Sequence, residues 1–164
     1  MKIMSSHLKE GDKAPDFTLP DQDGNDVRLY DLLEQGPVVL YFYPKAFTTV
    51  CTAEACAFRD AFEVFADAGA QVVGVSGDTV ETQKSFHTKN RLSYPVLSDR
   101  GGDVSSAYGL RNGKVMGIAV SDRVTFVIDR DGTIKHSSSA LLQAQIHVDE
   151  AMETVKSLLA DSPS

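Results

Sequence analysis

Six consecutive apolar residues, Val38-Val39-Leu40-Tyr41-Phe42-Tyr43, end at Pro44 and lead into an amphipathic stretch that reaches about Ala68. A run of four to eight β-branched and aromatic residues closed by proline reads as a buried strand, because proline cannot donate to a central ladder. From Cys51 onward, Ala55, Phe58, Phe62 and Phe65 recur at spacings of three and four, which is one face of an α-helix. The local order is therefore strand, loop, helix, and both cysteines of the chain, Cys51 and Cys56, lie at the head of the helix.

A cysteine in the first helical turn meets unpaired backbone N–H groups and the positive end of the helix dipole, both of which favour the thiolate. A free thiol has a pKa near 8.5, and helix N-termini with nearby cations lower it to roughly 3.5–7.5. A buried, inert cysteine is the alternative reading. Thr48, three residues earlier, and the strand-ending Pro44 favour a site. In an intact helix Cys56 would lie about 7.5 Å along the axis and about 140° around it from Cys51, a Cα separation of roughly 8.7 Å. A disulfide needs about 4.4–6.8 Å. If the two sulfurs bond, the first turn or two of the helix must unwind.

These residues resemble a known family. Pro44-x-x-x-Thr48-x-x-Cys51 is similar to the active-site signature of the peroxiredoxins. Cys51-Thr-x-Glu54-Ala-Cys56-x-Phe58-Arg59-Asp60 resembles the subgroup called bacterioferritin comigratory protein, or peroxiredoxin Q. The likeness extends to Gly11-Asp12-x-Ala14-Pro15-Asp16-Phe17 and to Arg123-x-Thr125-Phe126-Val127-Ile128-Asp129. It implies a thioredoxin-like α/β fold, Cys51 as peroxidatic cysteine and Cys56 as the resolving one. By the same resemblance Pro44 would shield the thiolate, Thr48 would hydrogen-bond the peroxide, and Arg123 would hold thiolate and peroxide oxygens together. Glu54 would orient Arg123; an ordinary first-turn glutamate favoured by the helix dipole is the competing reading. Arg59, Arg91 and Arg111 are rivals to Arg123 that spacing alone does not separate. Relatives usually carry Pro-Gly where this chain has Thr49-Val50, which alters the loop-to-helix junction.

The implied activity is a thiol peroxidase acting on hydrogen peroxide and organic hydroperoxides. A Cys51 sulfenic acid would condense with Cys56, and a thioredoxin-type dithiol protein would recycle the disulfide. No metal, haem or flavin is required, and a resolving cysteine so close in sequence favours a monomer. A protein disulfide oxidoreductase would want Cys-x-x-Cys, which is absent. A non-catalytic redox-sensing domain would not need Pro44, Thr48, Cys51 and Arg123 together.

Composition narrows the field further. The 164 residues, 42% hydrophobic and 24% charged, suit one domain with its own core, with residues 1–13 polar and loosely ordered, residues 1–7 among them. A net charge of −7 opposes nucleic-acid binding and anionic membranes. No stretch approaches the roughly 18 apolar residues of a membrane span, and the N-terminus lacks a signal-like apolar core, so a cytoplasmic location is expected. Two cysteines are too few for a secreted disulfide scaffold. Gly74 and Gly77 lack the spacing of a dinucleotide fingerprint, and Cys-x4-Cys with scattered histidines is a poor zinc pattern.

Along the chain, a hairpin is expected about Asp23-Gly24-Asn25, then a helical turn over 29–33 and a second buried strand over 71–76. A helix capped by Asp78 or Thr79 runs to about Asn90, and His87 is a surface or packing residue. A short extended piece over 94–97, a short helix over 104–108 and a glycine-rich loop follow. Val124 to Ile128 and Thr133 to His136 flank Asp131-Gly132, a second hairpin signal that puts Arg123 at a strand start. A terminal helix from about Val148 to Leu159 turns an apolar stripe to the sheet. The sum is a thioredoxin-like three-layer α/β sandwich with an N-terminal β-hairpin extension.

Overall fold

A computed structural model describes residues 7–46, 49–110, 112–115, 118–121, 123–138 and 144–161. In chain order the elements begin with β1 (Thr18–Pro20), β2 (Asp26–Arg28), α1 (Leu29–Leu33), β3 (Val38–Phe42) and α2 (Thr49–Asp67). They continue with β4 (Gln71–Ser76), α3 (Val80–Lys89), β5 (Val96–Ser98) and α4 (Asp103–Ala107). The last are β6 (Asn112–Val115), β7 (Ile118–Ser121), β8 (Val124–Ile128), β9 (Ile134–Ser138) and α5 (Ala144–Asp161).

The six-residue apolar run is the centre of the fold. β3 lies in the middle of a five-stranded sheet ordered β5-β4-β3-β8-β9, parallel to β4 and antiparallel to β8. Its side chains alternate between two cores, as the two-residue period of a strand requires. Val39, Tyr41 and Tyr43 join Phe58, Phe65, Phe86, Ala151 and Val155 on one face. Val38, Leu40 and Phe42 join Leu29, Leu33, Leu97, Tyr108 and Phe126 on the other. A strand covered on both faces has no reason to alternate with polar residues, which is why it reads as a continuous apolar run.

The steps β3-α2-β4 and β4-α3-β5 advance in the same direction across the sheet. Crossovers of one hand then put both helices on one face, and Phe58 and Phe65 of α2 share a core with Phe86 of α3. The opposite face is covered not by a crossover helix, as expected, but by α1 and α4 through Leu29, Leu33 and Val104, which completes the three layers; the hairpins β1-β2 and β8-β9 are present. Asp129 N–H donates to the Thr133 carbonyl at the second turn, where Gly132 has φ +89°.

Three further expectations are corrected and one open alternative is resolved. The glycine-rich stretch after α4 is not simply loop: β6 and β7 pair antiparallel from Asn112↔Ser121 to Val115↔Ile118. Gly113 and Gly117 outweighed the β-branched residues around them in the sequence reading. The segment from His7 to Lys13 is tied down rather than loose, with Leu8 N–H donating to the Tyr108 carbonyl (2.9 Å) and Gly11 N–H to the Ile134 carbonyl (2.8 Å). Residues 1–6 lie outside the described residues. α5 starts at Ala144, four residues before the expected start at Val148. Of the two candidate caps on α3, Thr79 is the one, its hydroxyl accepting from Thr82 N–H at 3.0 Å. Among the described residues no helix is long and apolar enough to cross a membrane.

Candidate active site

The C-terminal end of β3 delivers the chain into α2. Pro44 follows the strand half-buried, and Ala46 is buried. Thr48 lies outside the described residues, as does the side chain of Cys51, whose backbone is the third residue of α2. Thr49 and Val50 are the first two helical residues. The first-turn position expected for Cys51 therefore holds, and the helix begins two residues sooner than its apolar face.

The approach to the helix is braced from β4. Asp78, 2% exposed, accepts a hydrogen bond from Ala46 N–H at 2.7 Å and another from the Ser76 hydroxyl at 2.6 Å, both on Oδ2. Gln83 of α3 ties the cluster together, donating to Ser76 Oγ (3.0 Å) and the Leu97 carbonyl (2.6 Å) and accepting from the Tyr43 hydroxyl (2.5 Å). The sequence reading considered Asp78 only as a helix cap. Its position two residues past a buried strand, at the sheet end that carries the cysteine loop, was the available signal.

Arg123 immediately precedes β8, and the register Phe42↔Val124 sets it across from Tyr43, at the same sheet end as Pro44. Its Nη1 donates to Glu54 Oε1 at 2.8 Å, with Arg123 5% and Glu54 0% exposed. Burial raises the Glu54 carboxyl from its usual 4.5 to about 7, the Arg123 guanidinium offsetting part of the rise. The contact between Glu54 and Arg123 expected from the resemblance is thus made. Of the rivals, Arg59 bonds the Asn90 carbonyl (2.9 Å) and Asp60, and Arg91 is exposed in a left-handed turn at φ +53°. Arg111 lies outside the described residues.

Cys56 is half-buried, and its thiol donates to Asn90 Oδ1 at 3.6 Å. α2 is unbroken from Thr49 to Asp67, so helical spacing applies between the cysteines, roughly 8.7 Å between Cα atoms. Among the described residues no group of three or more His, Cys, Asp or Glu is arranged to hold a metal ion. The arrangement offers a helix N-terminus, a buried cation fixed by a buried carboxyl, and a second thiol further down the same helix.

Comparison with known proteins places this geometry in context. A profile of the AhpC/TSA family matches residues 10–137. The structure of peroxidoxin BcpB from Mycobacterium tuberculosis is 42% identical, with a TM-score of 0.87 over 93% of this chain and 99% of that one. Chloroplastic peroxiredoxin Q of Suaeda salsa is 42% identical over 151 residues, 92% of this chain and 69% of its own length. Peroxiredoxin Q of Xanthomonas campestris superposes with a TM-score of 0.77 at 25% identity, over 87% of this chain and 91% of that one.

Proposed function

The chain belongs to the AhpC/TSA family, the peroxiredoxins, and from that premise we propose that it reduces hydrogen peroxide and organic hydroperoxides through Cys51. The observation that carries this reading is the buried Arg123–Glu54 pair beside the helix whose first turn holds Cys51. A fixed guanidinium and the free N–H groups of a helix start both stabilise an anionic sulfur.

Cys51 thiolate attacks one peroxide oxygen; the S–O bond forms as the O–O bond breaks, and the electron pair leaves with the departing alkoxide or hydroxide. Negative charge moves from sulfur toward oxygen during the step, so donors aimed at the oxygens stabilise the transition state more than the bound peroxide. Arg123 supplies a rigid fork that stays charged, Thr48 a hydroxyl, and Pro44 a wall against water. Glu54 fixes the guanidinium. The sulfenic acid of Cys51 then condenses with the Cys56 thiol: the S–S bond forms, the S–O bond breaks, and water leaves. A thioredoxin-type dithiol protein reduces the disulfide by exchange.

We take residues 1–164 to act as one domain in the cytoplasm, and as a monomer, since both thiols sit on one helix and no second subunit is needed for the disulfide. The test is a pair of variants with intact-mass analysis. Cys51→Ser abolishes turnover. Cys56→Ser consumes one equivalent of peroxide and then stalls without a monothiol reductant. The unsubstituted reduced chain, given one equivalent of peroxide, loses two hydrogens in mass. Equal residual activity in both variants overturns the assignment.

A further inference from the structure

We infer that Asn90 and Tyr94, in the turn between α3 and β5, are positioning residues for the resolving step, holding Ala55 and Cys56 in helical register and so setting how fast Cys56 reaches an oxidised Cys51. The inference rests on the reading above that these two cysteines form a disulfide.

Three contacts fasten just over one turn of α2 to this one segment. The Tyr94 hydroxyl, on a side chain 2% exposed, donates to the Ala55 carbonyl at 2.9 Å. Having spent its only hydrogen there, Tyr94 receives one from Tyr41 across 2.7 Å. The Tyr41 ring is stacked on Phe58 at 4.7 Å between centroids and meets Tyr94 edge-on at 6.0 Å. Asn90 Oδ1 accepts from the Cys56 thiol at 3.6 Å, while its Nδ2 donates to the Phe86 carbonyl at 3.0 Å and so fixes which end of the amide faces sulfur. The Asn90 backbone carbonyl accepts from Arg59 Nη1 at 2.9 Å.

These contacts differ in what oxidation does to them. A Cys51–Cys56 disulfide needs the helix start to unwind through Cys56, which breaks the Tyr94–Ala55 and Asn90–Cys56 bonds. The Arg59–Asn90 bond lies one turn beyond the resolving cysteine and stays intact, marking where the helix persists. Local opening of this kind has a free energy set by the bonds it breaks. The Cys51 sulfenic acid meanwhile faces a competing fate: a second peroxide molecule transfers an oxygen to it, giving the sulfinic acid and water or alcohol. Every bond that delays opening lengthens the exposure to that second peroxide.

Stopped-flow fluorescence and intact-mass analysis of the reduced full chain with hydrogen peroxide test this. In Tyr94→Phe, which keeps the ring, and in Asn90→Ala, the first phase, Cys51 oxidation, is unchanged. The second phase, disulfide formation, accelerates by about 2–10-fold, as expected for losing one buried hydrogen bond, and the sulfinic fraction at excess peroxide falls. In a Cys51→Ser background the sole S–H stretching band belongs to Cys56; it moves to higher frequency in Asn90→Ala and not in Tyr94→Phe. A second phase unchanged or slowed in both variants, with the disulfide still forming, overturns the positioning role and leaves the peroxidase reading standing. A chain that never forms the disulfide overturns both.

Discussion

Arg123 Nη1 donates to Glu54 Oε1 across 2.8 Å with their side chains 6% and 0% exposed. The pair joins the lead-in of β8 to the second turn of α2, so the sheet and the cysteine-bearing helix are held in register by one charged contact. Removing two charges from water costs more than a surface pair returns. Its place at the head of the Cys51 helix is the physical reason to read it as part of the chemistry.

That burial makes folding stability pH-dependent. The Glu54 carboxyl titrates at about 7 in the folded chain against an ordinary 4.5, so between those values the folded state binds the proton more tightly than the unfolded state. Stability from this group is therefore greatest below 4.5, falls as pH rises toward 7, and is level above. At about 1.4 kcal/mol per pH unit the fall totals about 3 kcal/mol. Glu54→Gln removes this component; urea unfolding at pH 5 and pH 8 measures it, and an undiminished difference between the two pH values in the variant contradicts the assignment.

Arg123→Met separates chemistry from packing. Losing a donor aimed at developing charge costs about 10²–10³ in the rate of peroxide reduction. It also strands Glu54 without the guanidinium, and removing one partner of a buried pair costs about 3–5 kcal/mol where the survivor stays charged. Adding Glu54→Gln should restore most of the stability and none of the rate. A double variant that regains peroxidase activity would show that Arg123 acts only as a brace.

What the sequence disclosed follows from how local each signal was. β3 declared itself because a strand buried on both faces is apolar throughout, and α2 because one face carries Ala55, Phe58 and Phe65 at helical spacing. The β6-β7 hairpin was hidden because its glycines imitate a loop. Glu54 and Arg123 are 69 residues apart, and only the motif resemblance joined them beforehand. Asn90 and Tyr94 act through contacts made by tertiary packing, which no residue spacing encodes.

Asp78 bears on the loop that leads to Cys51. Its Oδ2 takes the Ala46 N–H and the Ser76 hydroxyl inside the protein, and an unmet buried donor costs about 1–3 kcal/mol. Asp78→Ala is expected to lower the second-order rate with peroxide by about tenfold or more, with the helix content of the chain retained. Asp78→Asn, which keeps an acceptor oxygen, should recover most of it. Loss of activity of the same size in both variants would mean that charge, not the brace on Ala46, is what matters.

Gly74 is the strand position whose lack of a side chain can be tested most directly. It sits opposite Tyr41 in the β3-β4 register, and a Cβ placed there would lie 2.9 Å from Tyr41 Cζ and 3.0 Å from its hydroxyl. The ring cannot yield freely, being stacked on Phe58 and bonded through its hydroxyl to Tyr94. Gly74→Ala therefore overpacks a full core, at a cost of about 1–3 kcal/mol, or about 2–4 °C in melting temperature per kcal/mol for a chain of this size. Because the displaced ring also loosens Tyr94, the substitution should speed disulfide formation as Tyr94→Phe does. Calorimetry and stopped-flow on one preparation decide it: a lowered melting temperature with an unaltered second phase would uncouple the Tyr41–Tyr94 pair from the opening of α2.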